Sequence, residues 1–205
     1  MSPKFLLATR NPAKVREYSS LFQDAPFQLT TLAEEGINME VSETGHTLEE
    51  NARLKATAYA TGEGSLVIAD DSGLEVDALG GEPGSLSARY GGEDTSDKEK
   101  ITLLLSRLQG VPWEKRSARF RCVIAIALSS SVVGLCEGEC SGIIAFEPRG
   151  DHGFGYDPIF YLPELGKTMA ELPLEEKNRV SHRGKAAQKA LQFLEYLREE
   201  TGKPE

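Results

Sequence analysis

The sequence predicts an α/β fold in a single domain over residues 1–205. Short apolar runs typical of buried strands are mixed along the chain with segments whose apolar residues recur at helical spacing. Neither a repeat nor a low-complexity linker interrupts this mixture. Hydrophobic residues make up 40% of the 205 positions and charged residues 27%, as is usual for globular proteins. These values exclude a disordered chain, a collagen-like fibre and a coiled-coil rod.

The predicted elements begin with a strand, a tight turn and a helix. The apolar run at residues 4–8 predicts the first strand. Asn11 suits a helix N-cap and Pro12 suits the first helical position, where its missing N–H costs nothing, so a helix begins there. A second apolar run at residues 66–69 predicts a buried strand that ends at Asp70-Asp71-Ser72-Gly73.

Three further helices and three further strands complete the prediction. Capping boxes predict helices that begin near Thr47, with Glu50, and near Ser96, with Glu99. A last helix is predicted from a cap at Ser181. The remaining strands are predicted from apolar and β-branched runs, divided by serine and glycine, at 120–128, 132–136 and 142–146.

The composition also limits the partners and the location. A net charge of −9 argues against non-specific binding to a nucleic-acid backbone, which requires a basic surface, but allows a small phosphorylated ligand or a hard divalent cation. Three cysteines are too few for a disulfide scaffold and indicate a reducing compartment. Since the sequence shows neither a signal peptide nor about 20 consecutive apolar residues, we expect a cytoplasmic protein without a membrane partner.

Polar residues follow two of the predicted strands, where open α/β sheets bind ligands. At residues 9–14, the N-terminus of a helix and Lys14 would attract an anion, although a plain capped helix explains the same residues. Asp70 and Asp71 would point to opposite faces, so one of them, with Glu43 from another loop, could hold Mg²⁺ or accept a proton from water. A simple Asp-Ser-Gly turn is the alternative.

A third polar cluster lies in the C-terminal half. Glycines on both sides of Phe154 would let its ring project and stack on a nucleobase, and Asp157 could accept hydrogen bonds from ring N–H groups. His182 and Arg183 could donate to ring carbonyls or phosphates. The alternative is that Phe154 belongs to the core, that Tyr156 and Asp157 form a turn, and that the two basic residues lie in a solvated helical turn.

Taken in order, the motifs resemble those of the inosine triphosphate pyrophosphatase (Ham1-like) family. They are ATRNPAK at 8–14, SETGHTLEENARLKA at 42–56, ADDSGLEVDALGGEPGSLSARYGGED at 69–94, GFGYDP at 153–158 and SHRGKA at 181–186. The resemblance implies a long, twisted mixed β-sheet with flanking helices, two lobes around an active-site cleft, and a homodimer. It also implies Mg²⁺-dependent hydrolysis of ITP, dITP and XTP to the monophosphate and pyrophosphate, with no nucleic-acid polymer as a partner.

The resemblance further implies roles for individual residues. Asp71 would be the general base and, with Glu43, a ligand of the metal. The implied substrate contacts are Thr9, Asn11 and Lys14 to the triphosphate within a loop completed by Arg10, Pro12 and Ala13; Lys55 to a phosphate; Ser72 to the substrate; Phe154, Gly155, Tyr156 and Asp157 to the base; and Lys177, His182 and Arg183 to the purine edge or the phosphates. Arg10, where many relatives carry glycine, and Asp151-His152, where Thr-Gly is frequent, depart from the family pattern.

The motifs leave the base specificity and three alternative functions to be distinguished. We hypothesise that His182 or Arg183 reads the 6-oxo group of the purine, while Asp157 helps to exclude guanine through its 2-amino group. A Maf-like nucleotide pyrophosphatase would act on other bases. A catalytically silent nucleotide-binding protein would bind without releasing pyrophosphate, and an acidic interaction module would not bind nucleotides.

Overall fold

A mixed β-sheet of seven strands, flanked by helices, organises the computed structural model, which describes residues 4–62 and 64–201. The strands are β1 (Lys4–Leu7), β2 (Gln28–Thr31), β3 (Leu66–Val76), β4 (Ser117–Leu128), β5 (Ser131–Ile144), β6 (Phe160–Leu162) and β7 (Lys167–Thr168). Their hydrogen-bonded order is β2-β1-β3-β4-β5-β6-β7. Strand β1 is parallel to β2 and β3, whereas β5, β6 and β7 pair antiparallel, so the expectation of a mixed α/β sheet is confirmed.

The helices begin where the local capping signals predict. They are α1 (Pro12–Leu21), α2 (Leu48–Tyr59), α3 (Asp97–Arg107), α4 (Leu174–Val180) and α5 (His182–Thr201). Both predicted capping boxes are formed, at Thr47 with Glu50 and at Ser96 with Glu99. Helix α5 begins directly after Ser181, as predicted. Helix α4 and strand β2 are short elements that the sequence analysis did not predict.

Two strands are longer than predicted. Strand β3 continues through Asp70-Asp71-Ser72-Gly73, so the alternative of an Asp-Ser-Gly turn is wrong and the two aspartates lie inside a strand. A Cβ on Gly73 would lie 2.2 Å from the carbonyl oxygen of Gly84, which shows that the glycine serves a close backbone approach rather than a turn. The two strands predicted at 132–136 and 142–146 are likewise joined in one strand, β5, which ends at Ile144, so the predicted end at residue 146 is two residues too late.

The chain divides into two units, each with its own apolar core. Unit 1 contains Met1–Asp71, Cys122–Gly138 and Arg183–Glu205; unit 2 contains Ser72–Arg121 and Glu139–His182. The predicted domain, 1–205, includes positions 1–3, 63 and 202–205, which lie outside the described residues, and it stays a prediction together with the lobes and the cleft. No helix within the described ranges is both long and apolar enough to cross a membrane.

Alternating residues of the strands in unit 1 pack into two apolar clusters. Ile68 of β3 and Ile124 of β4 belong to one cluster, and their strand neighbours Val67 and Val123 belong to the other. Since successive side chains of a strand point to opposite faces, both faces of the sheet are covered in this unit. The core of unit 2 is built around Leu74, Leu104, Phe120, Phe160 and Met169.

A chain of buried charges joins α1, β3 and α5 in unit 1. The Arg183 Nη1 group donates to Glu17 Oε2 over 2.7 Å, and Arg183 Nε lies 3.6 Å from Asp70 Oδ2. Lys14 Nζ lies 2.8 Å from the same Asp70 oxygen. Burial alone would raise the pKa of Asp70, but Lys14 and Arg183 outweigh it and lower the pKa to about 2. Asp70 is therefore held as a buried anion.

We expect Asp70 to give the protein a pH-dependent stability. Its pKa falls from the ordinary 3.8 to about 2 on folding, so the ionised carboxylate stabilises the native state by roughly 2 kcal/mol above about pH 4. This stabilisation should be lost as the pH falls from about 4 to about 2. Denaturant titrations from pH 7 to about pH 2 should therefore show a steeper loss of unfolding free energy for the unsubstituted protein than for Asp70→Asn. Asp24→Asn, at an exposed aspartate of unit 1, is the matched control. If the unfolding free energy of Asp70→Asn fell with pH as steeply as that of the unsubstituted protein, the expectation would be wrong.

Candidate active site

The segment between β1 and α1, in unit 1, presents a capped helix N-terminus. The Asn11 side chain accepts hydrogen bonds from the backbone N–H groups of Ala13 (2.9 Å) and Lys14 (3.3 Å). Thr9 Oγ1 accepts from the Asn11 N–H over 3.2 Å. Pro12 begins α1, as predicted. The cap alone explains Asn11. The half-buried Lys14, which pairs with Asp70, adds a cation close to the positive end of the helix, and this combination suits an anion.

Arg10 contacts another loop of unit 1. Its Nη2 group donates to the carbonyl oxygens of Ile37 (2.9 Å) and Met39 (3.0 Å). The hydroxyl of Tyr59, on α2, donates to the same Met39 oxygen over 2.8 Å. Arg10 therefore ties the loop that precedes α1 to the segment that leads to Glu43.

Glu43 and Asp71 converge on one ammonium group. Lys55 Nζ donates to Glu43 Oε1 over 2.5 Å and lies 3.4 Å from Asp71 Oδ1. The Asn51 Nδ2 group donates to Asp71 Oδ2 over 3.1 Å, and Asn51 Oδ1 accepts from the N–H of Gly45 over 2.8 Å. Asn51 thus fixes both the orientation of the Asp71 carboxylate and the position of the loop that carries Glu43.

The two adjacent aspartates face different partners, as strand alternation predicts. Asp70 contacts Lys14 and Arg183, whereas Asp71 contacts Asn51 and Lys55. Burial raises the pKa of Asp71, and this effect together with nearby Glu43 outweighs the attraction of Lys55 and Lys14. Asp71 is accordingly more basic than an ordinary aspartate.

The donor set around Asp71 suits a hard cation that takes most of its ligands from elsewhere. Over residues 4–62 and 64–201, no cluster of three or more histidine, cysteine, aspartate or glutamate side chains is placed to hold a metal ion. Glu43 and Asp71 nevertheless direct carboxylate oxygens to the same cationic group. One or two carboxylates, completed by substrate phosphates and waters, are the usual protein contribution to Mg²⁺ binding.

In unit 2, the predicted base-binding residues form a second cluster. Asp157 Oδ2 accepts a hydrogen bond from the Phe154 N–H over 2.8 Å and another from the ammonium of Lys177. That ammonium also lies 5.0 Å from the centre of the Phe154 ring, within cation–π range. Gly153 has a φ of +75°, and a Cβ there would lie 2.0 Å from Asp157 Oδ2, so only glycine permits this arrangement.

Two carboxylates hold the backbone that carries the aromatic ring. Besides Asp157, the side chain of Asp97 at the start of α3 accepts from the Gly155 N–H over 2.7 Å. The Phe154 side chain is half-buried, whereas Tyr156 is buried and its hydroxyl donates to the Ser87 carbonyl over 3.0 Å. The structure therefore contradicts the alternative in which Phe154 is a core residue and assigns that place to Tyr156.

His182 and Arg183 are buried, so the alternative of a solvated helical turn is wrong. Only 3% of His182 and 1% of Arg183 is exposed. The His182 ring stacks on Phe120 with centres 4.7 Å apart and an angle of 14°, whereas Arg183 belongs to the buried charges of unit 1. Ser72 lies in β3 and is half-buried.

Asn51 and Asp97 contact the predicted site residues, but their own roles were not predicted from the sequence. A signal for Asn51 was present, because it lies four residues before Lys55 and shares with it the buried face of α2 that also holds Leu48, Ala52 and Ala56. Two polar residues in an otherwise apolar helical stripe indicate a buried polar contact. Asp97 gave no such signal, since its partner Gly155 lies far along the chain.

Comparisons with known proteins place the chain in a family. The model of the Ham1 family matches residues 5–193. The dITP/XTP pyrophosphatase of Bacillus subtilis is 48% identical over 190 residues, which cover 93% of this chain and 96% of the relative. The dITP/XTP pyrophosphatase of Geobacillus kaustophilus is 52% identical over 186 residues, 91% of each chain.

Solved structures of relatives have the same fold. A HAM1 protein from Coxiella burnetii superposes with a TM-score of 0.85 at 40% identity, over 95% of this chain and 99% of that chain. The Ham1 protein of Staphylococcus aureus gives a TM-score of 0.80 at 42% identity, over 94% and 98%. Because the family model and these relatives cover nearly the whole sequence, the chain belongs to the Ham1 family.

Proposed function

We propose that this chain is a Mg²⁺-dependent pyrophosphatase that hydrolyses noncanonical purine nucleoside triphosphates, namely dITP, ITP and XTP, to the monophosphate and pyrophosphate. The observation that carries the proposal is the convergence of Glu43 and Asp71 on Lys55, because this set supplies a base, metal ligands and a cation in one unit. The activity of the Bacillus and Geobacillus relatives, which are dITP/XTP pyrophosphatases, supports it.

Residues 9–14 bind the triphosphate in this proposal. Thr9, Asn11 and Lys14 hold phosphate oxygens at the N-terminus of α1, within a loop completed by Arg10, Pro12 and Ala13. Hydrolysis at the α-phosphate makes pyrophosphate the leaving group, and the charge that develops on it needs nearby positive groups. Lys14, which is half-buried, and Lys55, which is buried, contact the aspartates of β3 in unit 1.

Asp71 accepts the proton of the attacking water. Burial raises the pKa of the Asp71 carboxyl above that of an ordinary aspartate, and the higher pKa makes this carboxylate a better proton acceptor. Glu43 and Asp71 would also hold the magnesium ion. When bound, such an ion acts as a Lewis acid that neutralises phosphate charge and makes water easier to deprotonate. Asn51 keeps the Asp71 carboxylate in a fixed orientation throughout.

The unit 2 cluster binds the base. Phe154 offers a half-exposed aromatic ring for stacking, while Asp157 and Lys177 supply an acceptor and a donor beside it. That His182 or Arg183 reads the 6-oxo group stays a prediction, as does the exclusion of guanine on the Asp157 side. If Arg183→Ala fully retained the preference for ITP over ATP, the first of these two predictions would be wrong.

A homodimer in the cytoplasm completes the proposal. The dimer rests on the family resemblance, and light scattering of the purified protein tests it. The location rests on the three cysteines of the sequence, which are too few for a disulfide scaffold and are typical of a reducing compartment.

Pyrophosphate release is the direct test of the activity. We expect release from dITP and XTP with Mg²⁺, much slower release from dGTP and ATP, and none in EDTA. Asp71→Asn should lower kcat by at least about 100-fold, because it removes the base and a metal carboxylate. Asp24→Asn is again the control. Turnover of other bases would favour a Maf-like enzyme, and nucleotide binding without release would favour a silent binding protein.

Stacking on Phe154 should appear in KM. Because a base stacked on an aromatic ring gains about 1–3 kcal/mol, Phe154→Ala should raise KM for dITP by roughly 5- to 150-fold while kcat changes little. Phe146→Ala is the matched control, since Phe146 is an exposed phenylalanine of the same unit that packs on Trp113. An equal effect of both substitutions, or a loss confined to kcat, would argue against stacking.

A further inference from the structure

We infer that Lys55 competes with the divalent cation for Glu43 and Asp71, so that the metal binds tightly only together with the nucleotide. The inference rests on the proposed function, because it takes these two carboxylates as the metal ligands. It assigns Lys55 a role in the free protein that is separate from any contact with phosphate.

The position of the ammonium group carries this inference. Lys55 Nζ lies 2.5 Å from Glu43 Oε1 and 3.4 Å from Asp71 Oδ1. Asn51 donates to the other oxygen of Asp71, so Oδ1 is the oxygen that faces Lys55. A cation bound by both acids would use the region that Lys55 Nζ occupies, and the two positive charges would repel each other there.

Without a nucleotide, the protein offers a metal ion few ligands with which to displace Lys55 from the two carboxylates. In the part of the chain that the structure describes, no third carboxylate, histidine or cysteine joins Glu43 and Asp71 in a metal-binding group. Lys55 already neutralises one of their two negative charges, and the Lys55 side chain is only 11% exposed. A hydrated divalent cation therefore gains few ligands and must displace a buried ion pair.

A nucleotide changes this balance in two ways. Its phosphate oxygens supply further ligands for a hard cation, and they also offer the Lys55 ammonium a new acceptor. The Lys55 ammonium would then leave the carboxylates of Glu43 and Asp71 and donate hydrogen bonds to a phosphate instead. Metal and nucleotide should consequently strengthen each other's binding, since each removes a cost that the other would meet alone.

The test measures Mn²⁺ binding to the nucleotide-free protein by electron paramagnetic resonance. Removing the charge in Lys55→Met should tighten Mn²⁺ binding by about tenfold or more, because a unit charge is lost next to both ligands. Lys4→Met is the matched control. It removes a lysine charge from another ion pair of the same unit, that with Glu35, so a change below about threefold is expected. Adding Glu43→Gln to Lys55→Met should abolish the gain.

Equal Mn²⁺ affinity for the unsubstituted protein and Lys55→Met, or an equal gain in Lys4→Met, would overturn the inference. If Lys55→Met does not fold, Lys55→Gln keeps a hydrogen-bond donor without the charge and must show the same gain. In thermal melts, Mn²⁺ should raise the Tm of the Lys55 variant more than that of the unsubstituted protein. If the unsubstituted protein releases pyrophosphate from dITP but Lys55→Met does not bind Mn²⁺ more tightly, only this inference is wrong. If Lys55→Met binds Mn²⁺ more tightly but the unsubstituted protein releases no pyrophosphate, only the proposed function is wrong.

Discussion

Two adjacent carboxylates inside one strand are the constraint on which unit 1 depends. Strand alternation sends Asp70 and Asp71 to opposite faces of β3, so one cation cannot neutralise both at close range. A buried charge without a partner is strongly destabilising. Each face therefore needs its own polar partners from the helices that pack on it: Lys14 and Arg183 on one face, Asn51 and Lys55 on the other. The side chains that neutralise the two buried aspartates are therefore the same ones that form the candidate site.

Carboxylates organise unit 2 in another way, by holding backbone N–H groups. Asp157 and Asp97 accept from consecutive residues, Phe154 and Gly155, on either side of one peptide bond. The backbone beneath the aromatic ring is thereby fixed while the ring itself stays half-exposed. Such a ring can bind a base without a large loss of conformational freedom on binding. The positive φ of Gly153 permits the close approach of Asp157 that this arrangement needs.

How much of this could be predicted from the sequence depends on the range of the interactions. Helix starts at Asn11, Thr47 and Ser96 were predictable because a cap and its partner lie within a few residues. The continuation of β3 through Asp70-Asp71-Ser72-Gly73 was not, since an Asp-Ser-Gly run is also typical of turns and the close approach of Gly84 to Gly73 is a tertiary contact. The burial of Arg183 was also missed, because its partner Glu17 lies 166 positions away. Local signals placed the elements, and tertiary pairing decided which charges are buried.

The different surroundings of the two aspartates also divide their chemical roles. Asp70 and Asp71 are the same residue type in consecutive positions, yet their pKa values shift in opposite directions. Burial acts on both, but Lys14 and Arg183 lower the pKa of Asp70 to about 2, whereas Glu43 adds to burial in raising that of Asp71. Groups whose surroundings separate their pKa values in this way can be assigned distinct acid–base roles. Asp70 is thus suited to remain an anion that holds Lys14 and Arg183, and Asp71 is the carboxylate suited to accept a proton.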